Sequence, residues 1–185
     1  ELNFTSKVAE ELEPWLQENY PDRDIKFVFF AYQTSEEPPI KYDAATDSWT
    51  PVWKDYVINE RVKVMCAPVY VDFSQWLTSS ENSAYYLNMK GWSELFKQAG
   101  IEDGICIWTY STSAHSYFAT INNFATPGEH YRVFADLGAD YVMDQGVADS
   151  CLPVMEALKL YTMSKMFYRR DYDYNEMVED FIEHY

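Results

Sequence analysis

Two carboxylates and three aromatic rings fall where apolar, strand-like runs of this chain come to an end. Asp144 directly follows Tyr141-Val142-Met143 and precedes Gln145, and Asp72 follows the run VKVMCAPVYV at 62–71. Glycosidic bond cleavage needs two carboxyl groups flanking the bond, or one with substrate assistance. A strand-end carboxylate can also bind a hydroxyl or orient a partner. The plainer alternative for each is an Asp that opens a turn and spends its side chain on local N–H groups. Trp108 and Tyr110 alternate to the same side of the run GICIWTY, and Tyr32 closes IKFVFFAY. Such rings stack on the C–H faces of sugars while their polar tips seek partners, or they fill a core. His115, in a polar stretch, can exchange a proton near neutral pH. The candidate binding residues are therefore Tyr32, Asp72, Trp108, Tyr110, His115, Asp144 and Gln145, with the catalytic acid unknown.

Other chemistries are not encoded in recognisable form. The three histidines, His115, His130 and His184, pair with no other His or Cys at metal-ligand spacing. No GxSxG elbow, GxGxxG turn or Walker loop occurs among the six scattered glycines, so neither a Ser-His-Asp set nor a nucleotide cofactor is expected. Cys66, Cys106 and Cys151 lack CxxC spacing, and the first two lie in apolar runs, as buried small hydrophobes do.

With 30 acidic residues against 14 basic ones, the net charge of -16 repels phosphate backbones, so no nucleic-acid partner is expected. Hydrophobic residues at 48% and aromatics at 18% supply a core, and the aromatic excess suits a carbohydrate partner as well as an aromatic-rich interior. No export signal or membrane span is visible. The compartment stays open, and an extracellular or cell-surface location follows if an export signal has been removed.

The elements that would position these residues alternate. Phe4, Val8, Leu12 and Trp15 recur at helical spacing, with Asn3 or Thr5 as caps and Tyr20-Pro21 as the stop. Ile25 to Tyr32 reads as a strand buried on both faces. Residues 33–60 read as a long loop with little regular structure, ordered by Trp49, Trp53 and Tyr56. A second strand covers 62–71, ending near Pro68, and a helix with inner positions Leu87, Trp92, Leu95 and Phe96 spans 85–99. A third strand at 104–110 precedes a long loop at 111–126 and a Pro-opened helix at 127–137 closed by Gly138. A short fourth strand at 141–143 precedes a helix at 153–168 and a last helix capped by Asp173 with Glu176. Strands separated by helices imply an α/β fold with a parallel sheet. Four such βα units make about half of a (β/α)8 barrel, or a small open doubly wound sheet. The long segments after the first three strands favour the barrel, whose functional loops follow strand C-termini.

Residues 92–185 resemble the bacterial family called domain of unknown function 4838. The resemblance rests on Ile107-Trp108-Thr109-Tyr110-Ser111, Asn122-Asn123-Phe124, Tyr141-Val142-Met143-Asp144-Gln145-Gly146, the helix from Leu158 to Phe167, and Asn175-Glu176-Met177 onward to Tyr185. Ala31-Tyr32 followed by Pro38-Pro39 is similar to an earlier part of that family. The resemblance implies a carbohydrate-associated protein similar to glycoside hydrolase barrels of the hexosaminidase and α-glucuronidase type. In those barrels the acidic pair follows the fourth strand. The resemblance thus implies that residues 1–185 are a single-domain fragment, the C-terminal half of such a barrel, with the pair outside it. Three readings stand open: part of a glycoside hydrolase contributing the carbohydrate-binding side of the site, a non-catalytic carbohydrate-binding module, and a purely structural domain. A half barrel exposes an apolar edge, so either the missing N-terminal half or self-association is expected to cover it.

Overall fold

A computed structural model of the chain describes residues 1–110, 112, 121–146 and 155–185. The element order is α1 (Leu2–Asn19), β1 (Phe27–Ala31), a 3-10 turn (Gln33–Ser35), β2 (Ile40–Asp43), β3 (Ser48–Pro51), β4 (Val62–Cys66), α2 (Ser83–Gln98), β5 (Ile105–Tyr110), α3 (Pro127–Asp136), β6 (Ala139–Gln145), α4 (Glu156–Tyr168) and α5 (Tyr174–His184). The main sheet has four parallel strands in the order β1-β4-β5-β6. The fold is α/β, built of parallel βα units.

Register separates the two faces of this sheet. Phe29, Val64, Ile105 and Ile107 point with Ala31, Val62 and Cys66 to one side, where they join Leu2 and Ala9 of α1, Trp92, Leu95 and Phe96 of α2, and Tyr131 and Phe134 of α3 in a single core. Val28, Phe30, Met65, Trp108, Tyr141 and Met143 point the other way. On that second face Val28, Phe30 and Tyr141 remain 47%, 44% and 52% exposed. All five residues of β4 are buried, as expected for a central parallel strand. β1, an edge strand, is buried on one face only, which corrects the two-sided burial expected from its sequence.

Lys63 lies on the open side but is buried, and its ammonium pairs with Asp103 at 2.9 Å and with Asp140. Burial of an unpaired ammonium would be costly, and two carboxylates remove that cost. Cys66 and Cys106 are buried free thiols, with burial pushing Cys106 up to about 11. Cys151 lies outside the described residues.

Two local expectations need correcting. The buried face of α1 is Leu2, Ser6, Ala9 and Leu16, whereas Phe4, Leu12 and Trp15 are exposed. Both stripes have helical spacing, and Ser6 is drawn inward because its hydroxyl donates to the Val57 carbonyl at 2.9 Å. Asn3 does not cap the helix; it bonds Asp55 and Val57 instead. Residues 33–60 hold regular structure: the 3-10 turn and an antiparallel β2–β3 hairpin. The hairpin docks on α2 at Gly91, where a Cβ would lie 2.6 Å from the Pro38 side chain and 2.9 Å from the Trp49 ring. Leu87 of α2, expected inside, is exposed. Gly138 closes α3 at φ +85, a conformation that glycine adopts without a Cβ clash.

Arg61, just before β4, fastens α1 to the sheet through a two-pronged ion pair with Glu13, one contact being 2.8 Å. Arg61 and its hydrogen bonds hold the Glu13 carboxyl down at about 2. A depressed carboxylate stabilises the fold above its ordinary value of 4.5 and loses that contribution as pH falls toward 2. Glu13→Gln should therefore lower Tm at neutral pH, with the gap to wild type closing between about pH 4.5 and 2 in thermal unfolding scans.

Candidate functional site

The C-terminal ends of the four parallel strands share one edge of the sheet, and most of the candidate residues gather there. Trp108 of β5 is half-buried on the open face, and its indole N–H donates to Gln145 Oε1 of β6 at 3.0 Å. That bond fixes the ring plane. Phe30 meets the same ring at 5.7 Å between centroids, tilted by 59°. Tyr32 follows β1 in extended backbone and accepts a hydrogen bond from Gln33 Nε2 at 3.2 Å. Tyr110 ends β5, with its ring 6.2 Å from Phe73. Burial, with Tyr32 nearby, raises the Tyr110 hydroxyl above its ordinary value.

Asp144 pairs in register with Thr109, not with Trp108, so its side chain is on the helix-covered face. There it accepts a hydrogen bond from the Tyr131 hydroxyl of α3 at 2.9 Å. Burial, together with the Asp144 charge, raises Tyr131 well above the usual phenol range. Glu156 and Lys159 of α4 are buried nearby and feel the Asp144 charge. Burial raises the Glu156 carboxyl and lowers the Lys159 ammonium, in each case by penalising the charged form. Neither residue stood out in the sequence, because a Glu and a Lys three apart on a helix read as a solvated pair.

Asp72 is placed in the loop between β4 and α2. Its carboxylate accepts from the Ser74 N–H at 2.9 Å and the Ser74 hydroxyl at 2.7 Å, an Asx turn. His115 lies outside the described residues. The Asp72 carboxylate is thus spent on its own loop, while Asp144 stands behind the sheet from Tyr32, Trp108, Tyr110 and Gln145.

The sequence profile of a family described as Domain of unknown function (DUF4838) matches residues 1–185. The chain belongs to this family. No curated protein and no solved structure matches it. Among the described residues of this DUF4838 chain, no group of three His, Cys, Asp or Glu side chains is arranged to hold a metal ion, and no helix is long and apolar enough to cross a membrane.

The β4–α2 loop lies beside Tyr110 in this DUF4838 chain, and one fully buried side chain orders it. Asn82 accepts from the Asp72 N–H at 2.9 Å and donates to the carbonyls of Asp72 at 2.9 Å and Trp76 at 3.0 Å. α3 clamps the same loop from outside: Glu129 accepts from the Leu77 N–H at 2.9 Å, His130 Nε2 bonds the Gln75 carbonyl at 2.9 Å, and Thr126 donates to the Phe73 carbonyl at 2.8 Å. Burial lowers His130 below its ordinary value, against the opposing pull of Glu129. Removing the Asn82 amide strands several backbone groups at once. Asn82→Ala should cost about 2–3 kcal/mol in urea unfolding, and hydrogen exchange should quicken across 72–82 before it does in the strands.

Proposed function

We propose that this domain supplies the carbohydrate-binding side of a glycoside-hydrolase-like barrel, with the open sheet face as part of the barrel interior. The observation that carries this reading is the asymmetry of the sheet. Among the described residues, helices pack on one face of the four parallel strands, while Val28, Phe30, Trp108, Tyr141 and Met143 line the other. Parallel sheets are normally covered on both faces, and in a barrel the second cover is the facing strands. Among the described residues β1 and β6 are the sheet's two edges, where a further strand would pair. The complementary strands come from the remainder of the same protein or from a second copy.

A sugar ring would stack on Trp108, which Gln145 holds in place, with Tyr32 and Tyr110 as the flanking walls and Gln145 reaching a hydroxyl. Aromatic faces and sugar C–H faces suit one another because the ring quadrupole is negative above its plane. Catalytic carboxylates belong to the other half. The placement of Asp144 favours a second reading, a binding module without its own chemistry, because its carboxylate faces Tyr131 and the helices. In either case Asp144 acts by holding the strand end in place.

Titration of the chain with a panel of neutral oligosaccharides, followed by tryptophan fluorescence, tests the site. Saturable binding should weaken at least tenfold in Trp108→Ala and change less in Asp144→Asn. A panel with no binder, or binding indifferent to Trp108, would sink the sugar-site reading. The open face predicts a second outcome. The isolated chain should self-associate in sedimentation velocity, and Phe30→Glu should shift it toward monomer by placing a charge among exposed apolar groups.

A further inference from the structure

A cavity of about 720 Å³ is lined by none of the residues discussed above as sugar contacts. It lies behind β1, between the first turn of α1, the 3-10 turn and the segment that leads from β3 to β4. Its floor is apolar and rigid: Phe29 and Trp92 are buried and meet edge-on at 5.5 Å, with Leu2 beside them. Its rim carries Trp53, which is 67% exposed, together with the Glu37 and Asp55 carboxylates. No Lys, Arg or His side chain lines it, among the described residues.

The rim is a built wall. Asn3 of α1 donates to the Asp55 carbonyl and accepts from the Val57 N–H, both at 2.8 Å. Ser6 holds Val57 one turn further along, and the Pro39 carbonyl accepts from the Val52 N–H at 2.8 Å. Trp53 is therefore held from both sides in an otherwise irregular segment, with its indole left facing solvent. Glu37 and Asp55 make no hydrogen bond or ion pair with any described side chain. An exposed indole over an apolar floor, rimmed by unpaired carboxylates, suits a ring-shaped ligand that carries a positive charge. The charge gains from the carboxylates and from the indole face, and the ring body gains from the floor.

We infer that this groove is a second ligand site, separate from the sheet face, that takes an amine-bearing saccharide of the glucosamine type. The choice of a sugar rests on the function proposed above, and the requirement for a cation rests on the groove alone. Neutral sugars lack the charge that the two carboxylates attract, and anionic ones are repelled.

The test is calorimetric titration of the full chain with glucosamine tetrasaccharide and with its N-acetylated counterpart, in low salt at mildly acidic pH, where the amine is protonated. Trp53→Ala, Asp55→Asn, Trp108→Ala and Glu179→Gln are compared, the last removing an exposed acid on α5, remote in sequence from the groove residues. The expected result is binding of the amine form at least tenfold tighter than the N-acetylated form. It should weaken at least tenfold in Trp53→Ala and several-fold in Asp55→Asn, and stay unchanged in Glu179→Gln. Asp55 is exposed, so its amide variant folds as the wild type does and keeps the test valid if Trp53→Ala does not. Equal affinity for both sugars, loss in Glu179→Gln as large as in Asp55→Asn, or no binding at all would overturn the inference. Amine-sugar binding lost in Trp108→Ala and retained in Trp53→Ala would also overturn it while leaving the sheet-face site standing. Loss in Trp53→Ala alone, with no neutral sugar bound at Trp108, would support the groove and count against the sheet-face site.

Discussion

A parallel strand cannot return to its neighbour by a tight turn, and most of this structure follows from that constraint. Each passage between neighbouring strands of the β1-β4-β5-β6 sheet must travel back along the sheet before the next strand begins. α2 and α3 make two of those return journeys and bury their apolar sides on the same face, where α1 joins them. The loops that precede the helices all leave from the same strand ends. Tyr32, Tyr110 and Gln145 consequently share one rim although they are far apart in the chain.

Among the described residues no helix packs on the second face, although Met65 and Cys106 in its middle are buried. Val28, Phe30 and Tyr141 there are too apolar for an ordinary wet surface, and the patch continues through Trp108 on β5 and Met143 beside Tyr141 on β6. The charged groups on this side are confined to its other end. Lys63, held between Asp103 and Asp140, sits at the opposite end of the strands from Tyr32 and Tyr110. Placing the ion triad at the bottom of the sheet keeps the upper part apolar and aromatic.

Buried polarity is concentrated around the β4–α2 loop and behind β6. Asn82, Glu129, His130 and Thr126 replace regular secondary structure as the partners of that loop's backbone. Asp144, Tyr131, Glu156 and Lys159 form a second group, whose charges are tolerated because each has an opposite charge or a donor near it. The acidic excess of the whole chain is otherwise carried outside, apart from the groove behind β1, where Glu37 and Asp55 meet Trp53.

By itself the sequence determined the α/β class, the four parallel strands, and most helix limits. The apolar runs were long enough to be strands only, and Pro21, Gly100, Pro127, Gly138 and the Asp173 cap each act within a few residues of themselves. It also placed Trp108 and Tyr110 on the same side of their strand, because period-two alternation sorts side chains by face without any knowledge of what faces them. Only the tertiary structure decided which face of each element is inside. α1 carries two stripes of helical spacing, and the partner of Ser6 on a distant segment selects the one that is buried. The β2–β3 hairpin has a modest apolar pattern, and it exists because Gly91 lets it settle against α2. The side that Asp144 takes was likewise left to the tertiary structure, because its pairing with Thr109 follows a register shift where β6 joins β5. Spacing along a chain encodes periodicity, whereas the side that is covered depends on contacts between segments many residues apart.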